Sequence, residues 1–144
     1  MCGFFAIVYN KRNPRLGNIL KRAGDKLSYR GYDSTGIAVF EKDGKYGIYK
    51  DKGNVDDVAR RLGFSNYGGY KGMIQLRWAT YGKPSKRNSQ PHSDCTGDYV
   101  AAHNGNIINA HHLFRELREE GHSIRSRNDG EVVVHIMEEA LKTM

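Results

Sequence analysis

The sequence predicts a single α+β domain, and three observations carry that reading. Apolar residues at Leu16, Ile19, Leu20, Ala23 and Leu27 keep the three-and-four spacing of a helix with one buried stripe. Asp43-Gly44 is a tight turn signal between two short runs, so Thr35 to Phe40 and Lys45 to Lys50 are predicted to pair as an antiparallel hairpin. From Asn128 onward the spacing is helical again, with Val132, Val133, Ile136, Met137, Ala140 and Leu141 expected inward. At 144 residues the chain is one domain by length, 1–144, and large enough to bury a core.

The remaining elements follow in chain order. Gly3 to Tyr9 reads as a buried strand, closed by a turn over Asn10-Lys11-Arg12-Asn13-Pro14. Tyr29 to Ser34 is a loop, since its glycine and short polar residues favour turns. Asn54 is suited to cap a short helix whose apolar face is Val55, Val58, Ala59 and Leu62. The glycine-rich stretch Gly63 to Gly72 reads as a linker, and Met73 to Trp78 as a strand with Trp78 on its core or rim. Ala79 to Asp98 is then a long irregular connection, a feature that in compact domains is more often functional than decorative. Tyr99 to Ala102 is predicted as a strand stopping at His103-Asn104-Gly105-Asn106, where a permissive glycine lets backbone N–H groups face a ligand. Asn109 opens a helix with Leu113, Phe114 and Leu117 inward, ended by Gly121; Ser123 to Ser126 reads as a further strand.

Composition excludes several functional classes. The net charge is +7, but the basic pairs Lys11-Arg12, Lys21-Arg22, Arg60-Arg61 and Lys86-Arg87 are scattered, whereas a nucleic-acid footprint needs a contiguous basic stripe. No apolar run approaches the length that crosses a bilayer, and no leader pattern opens the chain, so the expectation is a cytoplasmic protein with neither nucleic acid nor membrane as partner. Cys2 and Cys95 make no disulfide framework and no metal cluster, and no cofactor is expected. Cys95 reads as a spectator thiol, His111 and His112 as helix-start residues without a chemical role, and His135 as packing.

Cys2 has two readings. It is either a buried strand residue without chemistry or, once Met1 is removed, a residue carrying both a thiol and a free α-amine. Such an amine titrates at about 8 and a thiol at about 8.5. At neutral pH the amine can therefore take the thiol proton, making nucleophile and base one unit.

Seven blocks in one order bear on the choice: Cys2-Gly3-Phe4-Phe5-Ala6-Ile7, Arg30-Gly31-Tyr32-Asp33-Ser34-Thr35-Gly36, Leu76-Arg77-Trp78-Ala79-Thr80, Pro84, Pro91-His92, His103-Asn104-Gly105 and Asp129-Gly130-Glu131. Together they resemble the glutaminase domain of class II glutamine amidotransferases, with spacing nearest to the amino-terminal half of the glucosamine-fructose-6-phosphate aminotransferase family. The resemblance implies an N-terminal nucleophile hydrolase fold, a four-layer α/β/β/α sandwich expected to be incomplete in this chain, which matches the N-terminal part of a type-2 domain. It also implies that Cys2 attacks the side-chain amide of L-glutamine and releases ammonia to a synthase domain or subunit. Position by position, Arg77 takes the substrate carboxylate with help from Thr80, and Asp129 takes the α-ammonium. Asn104 and Gly105 form the oxyanion hole, Arg30 organises the loop against Cys2, and His92 and His103 support the site.

The chemistry agrees with this assignment, since an α-amino acid needs one forked guanidinium and one acid, and a developing oxyanion needs donors already in place. Two departures stand out. Gln75 and Tyr81 replace histidines that flank the arginine motif, and the acid motif Asn128-Asp129-Gly130-Glu131 lacks threonines on either side of the aspartate. A catalytically silent glutamine-binding relative, or a hydrolase of another amide, are the alternatives. A homodimer is one way such a chain could close its sheets.

Overall fold

The computed structural model describes residues 1–79 and 83–142. Strands β1 (Gly3–Asn13), β2 (Ser34–Phe40), β3 (Tyr46–Lys52) and β4 (Gly69–Arg77) form an antiparallel sheet in the order β1-β4-β2-β3. Helices α1 (Leu16–Leu27) and α2 (Val55–Leu62) cover one face. There Leu16, Leu20, Val55 and Val58 pack on Ile37, Val39, Ile74 and Leu76, the residues that strand alternation sends to that side. Asn54 caps α2 as its sequence predicts, with its Oδ1 accepting the Asp57 N–H at 3.0 Å.

The second layer is smaller. Strands β5 (His92–Ser93) and β6 (Val100–Ala101) pair antiparallel, and helices α3 (Ala110–Glu119) and α4 (Gly130–Lys142) share a core of Ala110, Phe114, Leu117 and Val132. This layer meets the free face of the large sheet closely. A Cβ built on Gly36 would lie 2.0 Å from the Gln90 carbonyl oxygen, so only glycine in β2 admits the loop leading to β5. The Lys50 ammonium of β3 donates to the Pro91 carbonyl at 2.7 Å across the same seam. The layers thus run helix, sheet, sheet, helix, as expected.

Several elements differ from the sequence reading. β1 continues through 10–13, read as a turn, because a bulge keeps the ladder: Val8 pairs with Lys71 and Asn13 with Gly69. β1 is also an edge strand with one face covered, so Phe4 and Val8 are exposed rather than buried. The stretch read as a linker at 63–72 ends α2 at Gly63 and then enters β4 at Gly69. Gly69 belongs to the sheet because a Cβ there would meet the Phe40 carbonyl oxygen at 2.7 Å. The long connection is not loose where it is described: Asn88, Ser89, Gln90, His92 and Asp94 are buried, and β5 lies within it. Only 100–101 of the strand expected at 99–102 makes a ladder.

The segment 123–126 forms no strand. Two of its N–H groups are taken by one side chain instead, as the Glu131 carboxylate accepts from Arg125 N at 2.7 Å and Ser126 N at 2.6 Å. The same anchoring turns α4. Val132 is fully buried as expected and Val133 partly so, but Ile136, Met137, Ala140 and Leu141 face outward, while Glu131, His135 and Glu138 are buried. The polar stripe faces in because its partners wait there, and buried polar groups go where they are satisfied.

Gly36→Ala is expected to destabilise the fold by about 1–3 kcal/mol through overpacking against Gln90. Urea unfolding measures this, and an unchanged midpoint would show that the two sheets are not in the contact described.

Candidate active site

The site grows from the two faces of β4. Ile74 and Leu76 enter the helix-covered core, so Gln75 and Arg77 point to the other side, where both are buried. The β1–β4 ladder ends with Gly3 opposite Leu76, which carries Cys2 to the end of β4. The Trp78 N–H donates to Cys2 Sγ at 3.4 Å, and the Arg30 Nε–H donates to the Cys2 carbonyl at 3.1 Å. Cys2, Arg30 and Trp78 line a cavity of about 350 Å³ together with Met1, Asn104, Gly105 and Asn106. Trp78 forms its rim, and the Tyr32 ring meets the indole edge-on at 5.3 Å.

The facing wall, the turn 103–106, is clamped at both ends. Gln90 Nε2 donates to the His103 carbonyl at 3.0 Å while the His103 N–H donates back to Gln90 Oε1 at 2.5 Å, so one side chain imitates a strand partner. At the far end Asp129 Oδ2 accepts the Ile107 N–H at 2.9 Å. Gln75 Nε2 donates to Asn104 Oδ1 at 3.4 Å, which leaves the Asn104 amide hydrogens as its remaining donors. Gly105 has φ of 145°, a conformation that L side chains rarely adopt, and a Cβ there would touch the His103 ring at 3.1 Å.

Burial sets the electrostatics. Arg77 is 2% exposed, and desolvation lowers its guanidinium below the ordinary value, while nearby Cys2, Asp129 and Asp33 act in the opposite sense. Asp33 Oδ2 in turn accepts the Ala79 N–H at 2.7 Å, tying the 31–33 loop to the end of β4. His92 is buried, and desolvation followed by the Lys50 charge pushes its imidazolium well below the ordinary range. The neutral ring donates from Nε2 to Asn128 Oδ1 at 3.3 Å, and Asn128 Oδ1 also accepts the Gly130 N–H at 3.1 Å. His92 is thus a strut between the β5 layer and the start of α4.

Cys2, Arg30, Asn104 and Gly105 therefore surround one cavity. Arg77 lies within electrostatic reach of Cys2 and Asp129, while His92 bonds to Asn128 and His103 is held by Gln90. Thr80 lies outside the described residues. Sequence reasoning did not find Gln75, Gln90 or Asn128 as supports. Gln75 stands two residues before Arg77 and so shares its face, a signal open to inspection; Gln90 had no local signal, because its partner is 13 residues away.

Residues 76–144 match the family description "glutamine amidotransferase domain". A glutamine–fructose-6-phosphate aminotransferase of Pyrobaculum aerophilum is 45% identical over 99% of this chain, and one of Aquifex aeolicus is 40% identical over 95%. The chain is similar to glutamine amidotransferases along nearly its whole length. It spans 23% and 22% of the length of those two relatives. In fold, the chain superposes on a solved glutamine phosphoribosylpyrophosphate amidotransferase of B. subtilis with a TM-score of 0.74, at 23% identity over 94% of this chain and 29% of that one. A second structure, described as the allosteric regulatory enzyme of purine biosynthesis, gives 0.78 at 24% identity, over 96% of this chain and 29% of that one. The fold is that of the N-terminal nucleophile hydrolases. Among the described residues no helix is long and apolar enough to cross a membrane.

Gln90→Leu removes both bonds to His103 at similar volume. It is expected to cost about 1–3 kcal/mol and to speed amide exchange across 103–106. Unaltered exchange would show that the clamp does not hold the turn.

Proposed function

We propose that this chain carries the glutamine-hydrolysing site of an amidotransferase. The observation behind the reading is the cavity shared by Cys2, Asn104 and Gly105, beside a buried arginine that lies within electrostatic reach of Asp129. With Met1 removed, the Cys2 amine takes the thiol proton, and the thiolate adds to the amide carbon of L-glutamine. The carbonyl electrons move to oxygen, where the Asn104 side-chain N–H and the Gly105 backbone N–H receive the charge. Collapse expels ammonia, which takes the proton, and leaves a glutamyl thioester. Water cleaves the thioester to glutamate and restores Cys2.

Arg77 forks onto the α-carboxylate, with Thr80 alongside, and Asp129 receives the α-ammonium. Arg30 holds the Cys2 carbonyl so that amine and thiol share the cavity. Ammonia then passes to an acceptor on a synthase domain or subunit, in the cytoplasm. The same reading makes Met1 an obstruction. It lines the cavity, lies 3.9 Å from Arg30 Nη2 through its sulfur, and blocks the amine that serves as base.

Glutamate release from glutamine tests the assignment. Cys2→Ala is expected to abolish turnover, and Asn104→Ala to lower kcat about 100-fold, the equivalent of about 3 kcal/mol. Undiminished hydrolysis by the Cys2 variant would sink the mechanism. Arg77→Lys keeps the charge but loses the fork and is expected to raise KM by about 10–100-fold, from the worth of a charged hydrogen bond. Intact-mass measurement of active protein is expected to show Met1 removed, and full activity with Met1 retained would exclude the amine as base.

A further inference from the structure

At the other end of α4, four donor atoms from three segments converge. Cys95 comes from the loop after β5, His122 from the segment after α3, and His135 and Glu138 from α4. His122 Nδ1 lies 3.2 Å from His135 Nδ1, 3.1 Å from Glu138 Oε2 and 3.4 Å from Cys95 Sγ. His135 Nδ1 lies 3.2 Å from Glu138 Oε2 and 3.6 Å from Cys95 Sγ. A tetrahedral ion holding ligands at about 2.0–2.3 Å sets their mutual separations at about 3.3–3.8 Å. The observed edges of 3.1–3.6 Å are close to that figure.

The hydrogen bonds behind the cluster leave its inner atoms placed for a metal ion. His122 Nε2 lies 2.7 Å from Glu139 Oε1, and an ionised carboxylate only accepts, so Nε2 carries the proton. In a neutral ring this leaves a lone pair on Nδ1, aimed into the cluster. His135 is placed similarly, with Nε2 toward Glu131 Oε1 at 3.8 Å and Nδ1 inward. With both rings neutral and protonated on Nε2, two imidazole lone pairs, a carboxylate and a sulfur face one another where His122, His135 and Glu138 have side chains 1%, 0% and 4% exposed. Positive charge relieves this crowding, either as a proton on an imidazole paired with Glu138 or as a metal ion held by all four atoms. The sulfur also accepts the Ser123 N–H at 3.3 Å, a bond suited to a metal-bound thiolate.

We propose that Cys95 Sγ, His122 Nδ1, His135 Nδ1 and Glu138 Oε2 form a closed tetrahedral site for a zinc ion. The mixed sulfur, imidazole and carboxylate set suits zinc, and four protein donors leave no open position, so the ion is structural. Glu139 behind His122 orients that ring, as carboxylates behind metal-bound histidines do. The ion joins the β5 loop and the end of the α3 segment to α4, whose first turn follows Asp129. It stands on this geometry and is independent of the glutamine reaction. Sequence reading expected no metal cluster, Cys95 as a spectator and His135 as packing; the four donors span 44 positions, and only His135 and Glu138, three apart on one helix, hinted at a shared face.

The full chain, purified without a polyhistidine tag, is stripped with chelator and titrated with zinc chloride and with cobalt chloride. About one equivalent of zinc is expected, with a melting temperature higher than that of the stripped protein. Cobalt is expected to give the strong visible bands of a tetrahedral ion and a sulfur charge-transfer band that Cys95→Ser removes. Glu139→Gln alters none of the four donors and is expected to weaken zinc by about 10–100-fold while the chain stays folded. Absence of bound zinc, or a weak octahedral cobalt spectrum in folded wild type, overturns the site. A charge-transfer band that survives Cys95→Ser overturns the ligand set.

Discussion

The backbone ladder between β1 and β4 is the constraint on which the rest depends. Side chains alternate along a strand, so a slip of one residue would send every group to the opposite face. With Gly3 opposite Leu76, the core residues Ile74 and Leu76 face α1 and α2, and Gln75 and Arg77 face the second layer. The same register brings Cys2 to the Trp78 amide. Hydrophobic burial on one side of β4 thus fixes the address of a polar site on the other. The bulge between Val8 and Asn13 absorbs the mismatch in strand length well away from that address.

The second layer is organised by a different force. Its ladder is only two residues per strand, and side chains stand in for missing strand partners: Gln90 for His103, Glu131 for 125–126, and Asp94 for the turn to Tyr99. Such bonds contribute modestly when made but cost more when a buried group is left alone. They therefore specify one arrangement of the 103–107 turn more than they stabilise the domain as a whole. That would suit the proposed oxyanion donors, which need to be in place before charge develops. It also accounts for a sequence with only 38% apolar residues, since much of the interior is polar and paired.

The helices and the hairpin were legible because their signals are local: apolar spacing in α1, the Asp43-Gly44 turn, and the Asn54 cap. The glycines of β4 misled because a glycine that admits a neighbouring backbone looks, in sequence, like one that frees the chain. α4 misled for the opposite reason. Its apolar residues suggested an inward face, but Glu131, His135 and Glu138 had partners in the interior, and burial followed the partners.

By itself the sequence determined the residue types of the site and their order, since motifs such as Arg30-Gly31-Tyr32-Asp33 and His103-Asn104-Gly105 are contiguous. It also determined the α+β class, through periodicities that need no distant information. Only the tertiary structure decided which of those residues share a cavity, that Gln75 and Gln90 hold the wall facing Cys2, and that Cys95, His122, His135 and Glu138 converge. These outcomes rest on contacts between segments tens of residues apart. Such contacts come from packing, register and the pairing of buried polar groups, which local spacing does not encode.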